Sequence, residues 1–77
     1  MTSNYIQMAK EVAAIMPSEE LKKAYFTFKE EDNKLGLAII VDEVERRYPE
    51  IFAELYNDET FEIDEMEFIN KTIGGIN

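Results

Sequence analysis

The chain has no cysteine, no histidine and no tryptophan, and only three glycines and two prolines among 77 residues. Without cysteine there can be no disulfide, and with histidine also missing essentially every Cys/His zinc site is excluded. The same two absences remove the commonest general bases, nucleophile–base pairs and redox thiols. The two serines, Ser3 and Ser18, sit where helix caps are expected. Carboxylates are plentiful enough for glycosidase-type acid/base pairs, but that chemistry needs a cleft, and a thin layer of helices is a poor place to build one. The chain therefore reads as a non-enzyme, with no catalytic residue, no cofactor site and no metal site expected.

Basic residues are also scarce. Eight Lys and Arg stand against 17 Asp and Glu, for a formal charge of −9 and a pI near 4.3. That balance argues against direct nucleic-acid binding, which depends on cationic side chains displacing counterions from phosphates. It also disfavours anionic membrane surfaces and favours a basic protein surface as partner. No apolar run approaches the roughly 18 residues of a membrane span. Met1 is not followed by a basic and then apolar leader, so the cytoplasm is the expected location.

What is present is enough to fold. Hydrophobic residues make up 45% of the chain and aromatics 12%, too many for a disordered acidic tail. Residues 1–77 are expected to form one domain, below the usual ~100–150 residues, with a stability of only a few kcal/mol. Tyr5, Met8, Ala9, Val12 and Met16 recur at helical spacing, widened by Ala13 and Ile15, with Thr2 or Ser3 as cap. Pro17 ends that helix. Ser18 caps a second, with Glu19 and Glu20 in its first turn and Leu21, Ala24, Tyr25 and Phe28 at i, i+3, i+4, i+7. An alternative reading makes residues 24–41 a hairpin, with Phe26–Phe28 and Leu35–Val41 as strands turning at Asp32-Asn33.

From Leu37 the stripe Leu37, Ile40, Val41, Val44 and Tyr48 marks a central helix, with Asp42, Glu43, Glu45, Arg46 and Arg47 on its wet face. Pro49 starts a short helix carrying Ile51, Phe52, Leu55 and Tyr56. After a loop at Asn57-Asp58-Glu59, Thr60 caps a last helix with Ile63, Met66, Ile69 and Ile73 inside, and Gly74-Gly75 terminates it. The expected fold is all-α, a small antiparallel bundle of four to five short helices. The methionines at 1, 8, 16 and 66 are expected as core fillers, and the four tyrosines at stripe edges with wet hydroxyls.

Charge is concentrated at one end. Glu54, Asp58, Glu59, Glu62, Asp64, Glu65 and Glu67 face a single base, Lys71, after residue 50. Like charges three or four apart on a helix repel, which marks these seven as a candidate partner-binding face. The competing account is a solvated face kept for solubility.

Ile63, Glu67 and Phe68 in the same stretch resemble the second half of an EF-hand, and Asp32, Ile39, Glu43 and Val44 repeat the spacing. An EF-hand turn needs glycine at its sixth position and an acid at its first. Those places hold Phe61 and Tyr56, and in the earlier segment the sixth is Leu37, so calcium is not expected. The chain is also similar to acyl carrier proteins in being short, acidic and helical, with Phe28 and the following acids before an apolar helix. The attachment site there would read Leu35-Gly36-Leu37, with no serine to carry a prosthetic arm. The resemblance implies at most a shared topology.

The function expected from the sequence is a non-enzymatic protein-interaction module. It is an inhibitor type that lays an acidic face on a basic, nucleic-acid-binding surface, as small nuclease inhibitors, immunity proteins and phage-encoded anti-defence proteins do. The alternative is a structural or oligomerising helical module whose apolar faces pair with another copy, or a degenerate carrier-like or EF-hand-like domain.

Overall fold

A computed structural model describes residues 2–74, with side chains from Asn4 onward. The caps read at Thr2 and Ser3, the methionine at position 1 and the glycine at 75 fall outside that description. Five helices follow in order: α1 (Thr2–Ile15), α2 (Ser18–Glu30), α3 (Lys34–Arg47), α4 (Pro49–Leu55) and α5 (Glu65–Lys71). No strand occurs among the described residues, so the hairpin reading of 24–41 is wrong.

The turn that suggested a hairpin is a helix stop joined to a helix start. Asn33 N–H donates to the Phe28 carbonyl (2.9 Å) and Asp32 N–H to that of Lys29 (3.2 Å), while Asp32 takes a φ of 54°. This is the Schellman pattern, with aspartate at the left-handed position usually given to glycine. The Asn33 side chain then caps α3 by accepting from Gly36 N–H at 2.9 Å. The central helix therefore begins at Lys34, a turn before the apolar run that announced it.

Two other expected caps are displaced. Ser18 is the first residue of α2, Pro17 is the capping position, and no side chain bonds there. Thr60 does not start the last helix. Asp64 does, accepting from Glu67 N–H at 3.1 Å. The helix ends at Lys71, with Thr72 as its cap, before the predicted Gly74.

The core gathers Leu21 and Tyr25 of α2, Ile39, Ile40 and Val44 of α3, Phe68 and Ile69 of α5, Ile73 just beyond it, and Ala13 of α1. Phe68 is fully buried and meets the Phe52 ring edge-on, with centroids 5.4 Å apart. α2 and α3 approach closely because Gly36 faces Phe28. A Cβ at position 36 would lie 2.7 Å from that ring.

α1 is attached differently. Its apolar residues, from Tyr5 to Met16, span roughly half the helix circumference at 3.6 residues per turn. Only one edge of that arc is covered. Ala13 is buried and Ala9 and Met16 pack against the core, whereas Tyr5, Met8, Val12 and Ile15 are 80%, 62%, 55% and 83% exposed. Met8 and Tyr5 are thus neither core filler nor stripe edge, because no neighbouring helix reaches them. Tyr25 departs in the other direction. Its side chain is completely buried and its hydroxyl donates to Glu65 at 2.9 Å.

Candidate functional site

The seven acids singled out from the sequence occupy α4, the segment 56–64 and the first turn of α5. The segment between the helices is a pinned loop. Asn57 N–H donates to the Glu62 carbonyl (2.8 Å) and Phe61 N–H donates back to that of Asn57 (2.8 Å). The Asn57 side-chain oxygen meanwhile accepts from Glu59 N–H (2.9 Å) and Thr60 N–H (3.2 Å). An asparagine that satisfies its own downstream backbone makes a turn without any packing. That competition explains why Thr60 lies in a loop and not at a helix start.

At the end of this turn, next to the bridge between Asn57 and Glu62, Phe61 holds a φ of 58° and is 77% exposed. A left-handed backbone is uncommon for a bulky residue. An exposed ring is also uncompensated by burial. Asp58, Glu59 and Glu62 of the same loop are exposed, as are Glu54 and Glu67. Glu43 forms ion pairs with Arg46 and Arg47, and among the described residues no ion pair of any of the seven acids is seen.

Two of the seven do structural work. Asp64 is exposed but spends one oxygen capping α5. Glu65 is half-buried and accepts the Tyr25 hydroxyl. Burial first, and then the hydrogen bond to Glu65, push the ionisation of Tyr25 well above the ordinary phenol range. The free acidic surface is therefore Glu54, Asp58, Glu59, Glu62 and Glu67. No group of three acids among the described residues stands close enough to hold a metal ion.

Glu43, expected on the wet face of α3, is only 7% exposed. It accepts from Arg46 Nε (3.2 Å) and Nη2 and from Arg47 Nε (2.7 Å). The Arg46 hydrogen bond holds its carboxyl below the usual range, helped by Arg47 and opposed by burial. Arg47 is thereby aimed at the end of α1. Its Nη2 donates to the carbonyls of Ala13 (3.1 Å), Ala14 (3.3 Å) and Met16 (2.6 Å). They lie at and just beyond the last turn of α1, where i→i+4 partners run out; that of Ala13 also accepts from Met16 N–H (3.2 Å), and α1 has no base of its own in that turn. The clamp was readable in part from sequence, as a glutamate followed by arginines three and four residues later. Its reach to α1 was not.

Beside the bare edge of α1 runs an apolar groove of about 470 Å³. Ile6, Ala9 and Val12 form one wall, Ala24 and Phe28 of α2 the other, and Gly36 lies on the α3 side. No family model, curated protein or solved structure matches the chain. The possible roles of these two surfaces rest on their own chemistry.

Proposed function

We propose that this chain is a non-enzymatic protein-interaction module that docks its acidic loop on a basic surface of another protein, with Phe61 as the apolar anchor. The observation that supports this reading most is Phe61 itself. An exposed aromatic ring on a pinned loop, in a backbone conformation that disfavours it, shares that loop with three exposed carboxylates. Aromatic residues inside a charged rim are the usual composition of a binding hot spot. Retaining a strained backbone is consistent with function at that position.

Unpaired carboxylates on a fixed loop attract a basic partner at a distance and set its register on contact. Where the partner's basic surface is a nucleic-acid groove, the carboxylates take the places of phosphates and the module inhibits by occupancy. The experiment captures partners from nuclease-treated lysate on immobilised chain and elutes them in salt steps. Parallel columns carry Phe61→Ala and a variant with Asp58, Glu59 and Glu62 changed to their amides. The reading requires that the bound proteins be basic, that raised salt release them, and that both variants lose them. A bound set unchanged on both variant columns would refute it. Displacement by duplex DNA identifies the inhibitory form.

A further inference from the structure

We propose that a second copy of this chain covers α1, through an antiparallel pairing of Tyr5, Met8, Val12 and Ile15 across a two-fold axis. This goes beyond the acidic loop and does not depend on it.

Spacing is the first argument. The exposed residues fall at intervals of three, four and three, which is the a/d seam of a coiled coil and not the broader stripe of a helix seated on a globular core. The core-facing edge, Ala9, Ala13 and Met16, is a separate stripe on the same helix. α1 therefore carries two apolar faces, of which the monomer uses one. The seam is also symmetric about position 10. When two such helices run antiparallel, Tyr5 meets Ile15 of the second copy and Met8 meets Val12, so every seam residue finds an apolar counterpart. That orientation opposes the two helix dipoles, where a parallel pair would align them.

Charge is the second argument. Each copy carries −9 overall, so two copies repel through most of their surface. Residues 2–16 contain one base, Lys10, and one acid, Glu11. This helix is where like chains can meet without bringing carboxylates together. Area is the third. Tyr5, Met8, Val12, Ile15 and neighbouring Leu35 expose on the order of 600 Å² of apolar surface, at the upper end of a monomer's largest patch and near the ~800 Å² per partner of a standard interface.

The test needs no unknown partner: mass is measured by sedimentation equilibrium across protein concentration at low and high salt. The full chain should move from 9.0 kDa towards twice that mass, and salt should strengthen association by screening the mutual repulsion. Val12→Glu alone and Met8→Lys alone should each weaken self-association at least about tenfold, while helicity by circular dichroism stays as in the parent. Mixing the two variants should restore a dimer, because position 8 of one chain faces position 12 of the other. A parent chain that stays at 9.0 kDa to millimolar concentration and high salt overturns the proposal and leaves the seam to a different apolar helix. A dimer that neither substitution weakens overturns the interface. Two weakened variants that fail to rescue each other overturn the antiparallel register.

Discussion

The two ends of this chain are held to the same core by opposite means. α1 has a wide apolar arc, one acid and one base between residues 2 and 16, and, among its described side chains, one that is buried, Ala13. The stretch from Tyr48 to Gly74 has eight acids and one base, yet it sends Phe68, Ile69 and Ile73 completely into the core. By side-chain burial the apolar end is thus the more open one, and the charged end the more deeply seated. Composition gives the reverse impression. What decides attachment is which side chains a neighbouring helix reaches, not how many apolar residues a segment contains.

The largest test of that contrast removes one large side chain from each end. Phe68→Ala deletes a fully buried ring against Phe52 and should cost about 3–5 kcal/mol. That is much of the stability of a domain this small. Met8→Ala deletes an exposed side chain of α1 and should change stability by less than about 0.5 kcal/mol in dilute monomer. Urea unfolding of the two variants measures both. Comparable losses would mean that α1 is as integral as α5.

A middle-sized effect is expected at the clamp. Glu43→Gln weakens both arginine contacts, and Arg47→Met removes the donor to the end of α1. Each should cost about 1–3 kcal/mol, discounted because Arg46 is largely exposed. The loss should be local, with amide exchange accelerating in α1 while α2, α3 and α5 stay protected. Acid gives a second readout. The Glu43 carboxyl sits lower in the folded chain than in the unfolded one. Its stabilisation is therefore present above the unfolded carboxyl value of about 4.3 and fades as pH falls through the folded value. The diagnostic quantity is the difference between parent and Glu43→Gln, in which the other effects of acid cancel. That difference should shrink below about pH 4. A constant difference from pH 7 to pH 3 would show that the carboxylate charge does not hold α1.

The same contrast explains what the sequence could reveal. Helix ends set by local chemistry were legible: Pro17 stops α1 and Pro49 opens α4 because proline's geometry acts without neighbours. Where two local signals compete, the reading went astray. Thr60 looked like a cap, but Asn57 had already tied the preceding loop, and Asp64 with Glu67 three residues later was the stronger start signal. Asp32-Asn33 looked like a hairpin turn, since the residues suited to a tight turn also suit a left-handed helix stop. Burial was the least legible. Periodicity places Tyr5, Met8, Val12 and Ala13 on one arc of α1 but cannot say which edge is covered. It places Glu43 among polar residues, though its partners are one turn away and its role is to aim Arg47 at another helix. Of the seven acids, charge alone could not separate Asp64 and Glu65, which serve the fold, from the five that remain free.

The smallest expected effect on stability separates the two explanations for Phe61. If the ring merely tops a loop, glycine should serve as well in every respect. Phe61→Gly relieves a left-handed backbone worth about 1 kcal/mol. It gives back part of that through the greater freedom of glycine in the unfolded chain. Little packing is lost, because the ring is mostly exposed. The variant should therefore melt at the parent temperature or slightly above it, with Asn57 still bonded to Glu62. Phe61→Ala keeps the backbone strain and loses the ring, so it should be marginally less stable than the glycine variant. Binding should order the three proteins otherwise. Both variants lack the anchor and should release a basic partner at lower salt than the parent, by the same margin, whatever their stabilities. A glycine variant that retains the parent's salt profile would show that the acids bind without the ring, and Phe61 would then be an unexplained strain in an otherwise well-satisfied loop.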